Sequence, residues 1–364
     1  MRFPEFEGEW KKEQLGDTAD FSKGAGISKE QLSEKGEPCI LYGELYTKYK
    51  SEVIYDIISK TDIDSTKLVR SQANDVIIPS SGETAEDIAT ARCVLKNNIL
   101  LGGDLNIIRL HNHSGSFMSY QLNGKRKYDI AKVAQGVSVV HLYAEHLKGV
   151  NTYNPCMEEQ EKIARLLSLL DERIATQNKI IDKLRSLIKG IAQKIVRNNK
   201  PNVRLAECLE CKSSTLQESE VCEQGTYPVY GANGIVGYLD NYSTEGEAVY
   251  IIKDGSGVGT VSYVTGKCSA TGTLNILQAK EGYSLQYLYY LLKVFNFEPY
   301  KTGMAIPHIY FKDYGKAKVF CPSYTEQLQY ARLLYAIESK LSIEKNILTS
   351  LSLQKQYLLR QMFI

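Results

Sequence analysis

No stretch of this sequence approaches the ~20 consecutive apolar residues needed to span a bilayer. Its opening residues, Met1-Arg2-Phe3-Pro4-Glu5-Phe6, lack the hydrophobic run followed by small residues that marks a secretory signal. A cytoplasmic protein without membrane contact is therefore expected. An excess of one charge is also missing: the formal net charge is only +2. That value argues neither for nor against nucleic acid, because a reader can be basic on one face and acidic elsewhere. The eight cysteines are scattered, and only Cys208-Leu209-Glu210-Cys211 has metal-like spacing. A structural zinc site needs four ligands, and no second pair follows at finger or ribbon spacing. Reduced, buried thiols are the simpler reading, and no metal is expected. Tryptophan occurs once and phenylalanine nine times, against 25 tyrosines. Tyrosine packs sheet interiors, but it also offers a stacking face and a hydroxyl that reaches phosphates and base edges. The 364 residues, 43% hydrophobic and 24% charged, are ordinary for a globular protein and enough for two domains.

What the chain does have is a repeat of itself. Shifted by 167 positions, its halves align without a gap over about fifty residues: Gly136 falls on Gly303, His141 on His308, Tyr143 on Tyr310 and Pro155 on Pro322. Glu159-Gln160 falls on Glu326-Gln327, and Ala164-Arg165-Leu166-Leu167 on Ala331-Arg332-Leu333-Leu334. Ile180 falls on Ile347 and Leu184 on Leu351; upstream, at a slightly different offset, Leu105-Asn106-Ile107 matches Leu274-Asn275-Ile276. The unit of this duplication is a mixed globular domain followed by a long helix. In the first helix Ile163, Leu167, Leu170, Ile174, Ile181, Leu184, Ile188, Ile191 and Ile195 step by fours and threes, a heptad seam with Gln177 as its polar occupant. Asn154-Pro155 and the acids Glu158, Glu159 and Glu161 suit its start, and Pro201 ends it. The second helix carries Tyr330, Leu334, Ile337, Leu341, Leu348, Leu351, Leu358 and Met362 on its seam, interrupted by Glu344 and Lys355. Each helix of roughly 40 residues spans about 60 Å. A single apolar stripe of that length must be buried. The sister helix, running antiparallel in a pseudo-twofold arrangement, is one partner; a helix of another chain is the alternative. The expected boundaries are 1–155, 156–200, 201–322 and 323–364.

The segments before each helix are rich in β signals. Asp75-Val76-Ile77-Ile78-Pro79 and Ala248-Val249-Tyr250-Ile251-Ile252 are short buried-strand runs, and glycines such as Gly82, Gly102, Gly103, Gly231, Gly234 and Gly272 punctuate the rest. Strands with many turns expose loops, where recognition resides. Catalytic patterns fail in turn. Asp254-Gly255-Ser256-Gly257-Val258-Gly259 lacks the Lys-Ser/Thr of a P-loop and does not open a helix; a turn between strands fits better. Asn154-Pro155-Cys156-Met157 lacks the second proline and the aromatic of an adenine-N6 methyltransferase motif, and no S-adenosylmethionine glycine loop precedes it. Glu9-Trp10-Lys11 has no upstream acidic partner for a metal nuclease, and Glu338-Ser339-Lys340 lies in a predicted helix. His141 and His308 belong to no nucleophilic arrangement. No catalytic residue is expected.

The loop sequences resemble a known family. Tyr227-Pro228-Val229-Tyr230-Gly231-Ala232-Asn233-Gly234-Ile235-Val236-Gly237-Tyr238, Ile252-Lys253-Asp254-Gly255-Ser256-Gly257-Val258-Gly259 and Ala270-Thr271-Gly272-Thr273 resemble a target-recognition domain of the specificity subunits of Type I restriction-modification systems. The first half looks like another variety of that domain, through Pro38 to Thr47, Ile78 to Ala85 and Ala134 to Tyr143; Pro155 to Ile174 is similar to the family's helical connector. The resemblance covers essentially the whole chain and its order of domain, helix, domain, helix. It implies an α+β fold with two mixed α/β target-recognition domains separated by two long antiparallel coiled-coil helices. It implies a non-catalytic subunit that reads a bipartite, asymmetric site on double-stranded DNA. Two modification subunits that bind S-adenosylmethionine, and restriction motor-nuclease subunits that use ATP with Mg, would be its partners. A related system whose methyltransferase and nuclease share one chain, and a coiled-coil scaffold that does not touch DNA, are the alternatives. The resemblance is loosest at Pro322 to Gln327, and Tyr330 and Lys355 are expected to weaken the second seam.

Reading DNA needs donors and acceptors for base edges and cations for phosphates. In the first domain the candidates are Tyr42, Glu44, Tyr46, Lys48 and Tyr49 in one loop and Ser80, Ser81, Glu83 and Thr84 in a second, with Lys125, Arg126 and Lys127 toward phosphate. A glutamate can accept from cytosine N4, so Glu44 and Glu83 qualify. In the second domain they are Tyr230, Asn233, Lys253, Asp254, Ser256, Thr271, Thr273, Lys301 and Thr302. His141 and His308 are expected to hold each domain against its helix. Lys179, Lys183, Arg185, Lys189, Lys194 and Arg197, with Asp182 as the lone acid among them, form a basic stretch able to face phosphates.

Overall fold

Asp75 to Pro79 is buried along its whole length, which is why Val76 to Ile78 runs apolar instead of alternating, while Asp75 is held by Arg109 at 2.8 Å. In the computed structural model, which describes residues 1–64, 66–136 and 139–364, it is the third strand of a five-stranded sheet. In chain order the strands are β1 (Ala19–Lys23), β2 (Val53–Ile54), β3 (Asp75–Pro79), β4 (Arg92–Val94) and β5 (Leu105–Leu110). They lie in the order β1-β5-β3-β4-β2, antiparallel except for the β4–β2 pair. Helix α1 (Gly115–Asn123) follows β5, with the Ser114 hydroxyl accepting from the Phe117 N–H at its first turn. Then comes the first long helix, α2 (Met157–Asn198).

The second half repeats the plan. Strands β6 (Leu209–Ser213), β7 (Glu247–Ile252), β8 (Val261–Thr265) and β9 (Leu274–Ala279) form an antiparallel sheet in the order β6-β9-β7-β8. Position for position this is the order of β1, β5, β3 and β4. Helix α3 (Leu285–Leu292) takes the place of α1, again capped by a serine, Ser284, and α4 (Tyr324–Gln361) is the second long helix.

The chain divides into two compact units, Met1–Asn178 with Asn346–Ile364, and Lys179–Lys345. The division cuts through both long helices and not at the domain boundaries read from the sequence. Each half-helix is anchored on the domain it packs against. In the first unit Ile163, Leu167 and Leu170 of α2 share a core with Leu351 and Leu358 of α4, followed by Met362 and Phe363, around Trp10, Phe117 and Tyr120. In the second unit Ile188 and Ala192 of α2 and Leu341 of α4 meet Tyr290 and Val294. The end of each helix therefore lies against the start of the other, and the pair is antiparallel within one chain. Ile163, Leu167, Leu170, Ile181, Leu334, Leu341 and Leu351 are buried, and Ile174, Leu184, Ile337 and Leu348 half-buried. A fully buried leucine or isoleucine contributes about 1.5–3 kcal/mol of apolar burial.

Lys355 is not the loose interruption its charge suggested. Its Nζ lies 2.5 Å from Asp171 Oδ1 of α2 and also bonds Glu52, in a cluster where all three side chains are largely buried. Of the tyrosines, Tyr120, Tyr250, Tyr287, Tyr290 and Tyr314 are fully buried and serve packing. Cys208 and Cys321 face one another with their sulfurs 3.9 Å apart.

Candidate nucleic-acid interface

The two loops singled out in the first domain meet. Tyr42, Gly43, Tyr46 and Thr47 from one side and Ser81, Gly82, Glu83 and Asp87 from the other line a cavity of about 550 Å³, closed at one edge by Val139. Tyr42 and Glu83 are exposed. The Tyr46 hydroxyl is covered and has no hydrogen-bond partner among the described residues. Burial first, then the nearby Asp87 charge, pushes its ionisation well above the ordinary tyrosine range. Thr84 caps the short helix Ala85–Ile88, its hydroxyl accepting from the Asp87 N–H at 3.1 Å.

Several candidates in this unit have other work. Glu44 is only 5% exposed: its carboxylate accepts from the Leu41 N–H at 3.0 Å, from Lys48 Nζ at 2.6 Å and from the Ser59 hydroxyl. That arrangement folds the loop, withdraws Glu44 from base edges and engages Lys48, itself exposed, with Glu44 and Ser59. Tyr49 is 6% exposed, with its hydroxyl accepting from the Ile58 N–H. Ser80 is buried at the end of β3. Arg126 donates to the Ile364 main-chain oxygen at 2.8 Å, pairs with Asp129 at 3.1 Å and lies over the Tyr153 ring, so its guanidinium is engaged within its own unit. Lys125 is exposed and Lys127 half-exposed.

The second domain assembles its candidates at the matching place. The Lys253 N–H donates to the Thr273 carbonyl at 3.0 Å, as Ser80 N–H donates to Asp104 at 2.7 Å. The Lys253 carbonyl accepts from Ile309, as that of Ser80 accepts from Leu142. Lys253 and Ser80 thus occupy equivalent positions where β7 and β3 end. Asp254 Oδ1 meets His308 Nδ1 at 2.7 Å, and Gly255 N–H reaches the Pro307 carbonyl at 3.0 Å. Lys253, Asp254, Ser256, Thr273 and Thr302 therefore share one loop cluster, with Ser256 and Thr302 exposed. Asn233 sits exposed in the turn between the paired strands Tyr227–Gly231 and Gly234–Leu239, and Tyr230 is half-buried against the Tyr250 ring. Thr271, 1% exposed with its hydroxyl 2.8 Å from that of Thr273, is interior. Lys301 is paired to Glu298 at 2.6 Å.

The two histidines, expected to hold each domain against its helix, instead each close a loop, one within Ala134 to Tyr143 and one beginning at the candidate Thr302. His141 and Gln135 exchange main-chain hydrogen bonds of 2.7 and 2.9 Å, and His308 and Thr302 do the same at 2.7 and 2.9 Å. Among the described residues neither ring makes a bond to a long helix; His141 stacks near Tyr143, and His308 ties its loop to Asp254. Each pair closes a loop that turns through a left-handed glycine, Gly136 (φ 121°) or Gly303 (φ 86°). A Cβ at either would run into the carbonyl of Val139 or Ile306. The tips present apolar side chains: Val139 is exposed, as are Met304 and Ile306. Val137 and Ser138, in the first of these loops, lie outside the described residues. Tyr143 and Tyr310 are also exposed beside the clusters. The signal for these loops was the coincidence of Gly136 with Gly303 and Tyr143 with Tyr310.

Residues 7–186 and 199–353 each match the family model described as the Type I restriction modification DNA specificity domain. The chain belongs to this family. It is a Type I specificity subunit with two DNA specificity domains in tandem, a class without catalytic activity of its own. A protein of Mycoplasma genitalium named as a type I specificity subunit is 25% identical over 271 residues, 68% of this chain and 70% of that one. The specificity subunit of the Type I restriction enzyme EcoprrI of Escherichia coli is 29% identical over 112 residues, 31% of this chain and 28% of that one. The crystal structure of an M. genitalium Type I S subunit shares the fold, with a TM-score of 0.70 at 20% identity over 100% of this chain and 99% of the other. A chain from a structural study of Type I complex assembly matches with a TM-score of 0.56 at 14% identity, covering 98% and 97%. No helix of the specificity chain is long and apolar enough to cross a membrane among the described residues.

Proposed function

We propose that this specificity chain reads the two halves of a split, asymmetric DNA site, one with each domain, and positions two modification subunits for adenine-N6 methylation. The observation that carries the reading is the repeated junction at the ends of β3 and β7, where Ser80 and Lys253 occupy equivalent positions beside a glycine-turned loop. The same scaffold presents different chemistry in each copy. The first offers Tyr42, Ser81 and Glu83; the second offers Lys253, Asp254, Ser256 and Thr302. Hydroxyls, carboxylates and a lysine differ in the base-edge donors and acceptors that they pair with, so the half-sites differ in sequence. Lys125, Lys127 and the exposed Lys179, Lys183, Lys189 and Arg197 supply phosphate contacts that set position without reading sequence. S-adenosylmethionine belongs to the modification subunits, and ATP with Mg to the restriction subunits that join them.

The test is methylome sequencing of a host lacking other adenine methyltransferases. The neighbouring modification gene is expressed with and without this chain. The expected result is N6-methyladenine in one split motif only when the chain is present. Unchanged methylation on its removal, with an active partner, would overturn the reading and favour a scaffold that does not touch DNA.

A further inference from the structure

The repeat is asymmetric at one buried place, and the asymmetry dictates which helix can pair with which. In the first unit Tyr120 of α1 donates to Asp171 Oδ2 of α2 at 2.7 Å; Ser51 also donates to that oxygen at 2.8 Å. The cation for Asp171 and Glu52 comes from the other long helix, as Lys355. Arg92 lies nearby and its charge favours both carboxylates, but among the described residues its guanidinium bonds main-chain carbonyls, those of Leu45, Tyr49 and Ala91. In the second unit Tyr290 of α3 donates to Glu338 Oε2 of α4 at 2.7 Å, and Glu338 stands 167 positions after Asp171. Here the cation comes from the domain itself: Lys293, at the end of α3, bonds Glu338 Oε1 at 2.9 Å. The residue 167 positions before Lys355 is Ile188, which lines the apolar crevice beside Tyr290, Lys293 and Leu341.

From this we infer that Lys355 and Ile188 form a pairing key that makes the helix pair heterotypic, so that the first half of the chain accepts the second half and rejects another first half. If two first halves paired, Ile188 of one would take the place of Lys355 against Glu52 and Asp171 of the other, leaving two buried carboxylates without the cation that bonds them and only the Arg92 charge nearby. If two second halves paired, Lys355 of one would enter the apolar crevice beside Lys293, whose positive charge Glu338 already answers. Burying an unanswered charge is severe enough to favour the mixed pair by more than about a hundredfold. A duplication would otherwise leave both symmetric pairings available, each reading a palindromic site; the key selects the asymmetric reader.

The test uses the full chain with a protease site inserted at the exposed link around Lys200, cut after folding, and native mass spectrometry of the cut protein held at dilutions that allow exchange. The wild-type protein is expected to remain one first half with one second half, with symmetric pairs below a few per cent. Ile188→Lys is expected to generate pairs of first halves, because the introduced ammonium supplies the missing cation to Glu52 and Asp171. The triple variant Glu52→Gln, Asp171→Asn, Lys355→Ile is expected to exchange toward a statistical mixture of all three pairs. Exchange of the wild-type halves to that same mixture would overturn the proposal. So would an Ile188→Lys protein that stays wholly mixed, whatever the folding of the triple variant.

Discussion

Tyr120 gives its hydroxyl hydrogen to Asp171 at 2.7 Å, and the same bond recurs between Tyr290 and Glu338 at 2.7 Å. Each joins the helix after a recognition sheet to one of the long helices. The partners differ by a methylene in the acid and in the source of the neutralising lysine, yet the bond length is kept. A duplicated domain preserved this joint while its loops diverged.

Tyr120→Phe and Tyr290→Phe should each lower stability by about 1–3 kcal/mol, the usual cost of leaving a buried acceptor short of a donor. Urea unfolding checks this, with Tyr324→Phe as an exposed control expected to lie within about 0.5 kcal/mol of wild type. A cost near zero at both joints would show that the carboxylates are satisfied without the tyrosines.

The paired glutamines make a second matched prediction. Gln160 accepts from the Ser114 N–H at 3.0 Å and donates to the Pro155 carbonyl at 2.9 Å; Gln327 accepts from Ser284 at 2.9 Å and donates to Pro322 at 2.9 Å. Each amide is almost fully buried and clamps the start of a long helix to the cap of a domain helix. Gln160→Met and Gln327→Met preserve shape and remove these bonds, together with the 3.1 Å bond between Gln160 Nε2 and His113 Nδ1. They should cost about 1–3 kcal/mol each, with faster amide exchange at Ser114 and Ser284 respectively. Protection unchanged at those amides would place the clamp elsewhere.

Periodicity and repetition made much of this fold legible. The seam from Ile163 to Ile181 could be read because a helix that buries one stripe must repeat it. Glu159-Gln160 falling on Glu326-Gln327 announced the clamp without saying what it held. The cluster of Lys355 with Glu52 was not legible: it joins residues about three hundred positions apart, and a lysine on a seam looks like a defect until its acids are placed. In the site, loop composition singled out Tyr42 and Tyr46 in one loop and Ser81 and Glu83 in a second, and the structure brings the two loops together. It could not distinguish the outward Glu83 from the inward Glu44, because both are acids in glycine-rich loops and only the packing of Ser59 and Lys48 turns one inside.

Acid should weaken the first unit through His113. Burial, the largest influence, lowers its pKa below the ordinary histidine value, although the charge of Glu13, 3.7 Å away, and a hydrogen bond with Gln160 act the other way; Lys11 and His111 reinforce the lowering. The folded chain therefore prefers the neutral ring. That stability is fully present above the unfolded pKa of about 6.5 and is lost as pH falls from there through the folded value. Trp10, the single tryptophan, is buried in this unit against Phe117 and Phe363 and reports its unfolding. His113→Asn should flatten the decline in stability between about pH 6.5 and 5. An unaltered decline would assign it to other groups.

The basic stretch on α2 predicts a change in salt dependence without a change in sequence preference. Lys183 is exposed, whereas Arg185 is held by Asp182 at 3.2 Å. If Lys183 meets a phosphate in the complex with the modification subunits, Lys183→Ala reduces the slope of log affinity against log salt by about one. The methylated motif stays the same. A slope equal to wild type would mean that this face of α2 points away from the duplex.

Gly136 and Gly303 offer the sharpest separation of the two readers. Both lie at positive φ, and an added Cβ would collide with the main chain of its own loop, so Gly136→Ala and Gly303→Ala must each reshape one loop tip. The atoms an added Cβ would meet belong to the same loop, so global stability should fall by no more than about 1–2 kcal/mol. Recognition should suffer more. With each mismatched base pair typically discriminated by about 1–3 kcal/mol, loss of one loop's contacts relaxes one or two positions of a motif rather than abolishing it. The methylome of Gly136→Ala should therefore show degenerate letters in one half of the split site, and that of Gly303→Ala in the other. Relaxation of the same half by both variants would contradict one half-site per domain, since the two glycines belong to different units and each shapes only its own loop.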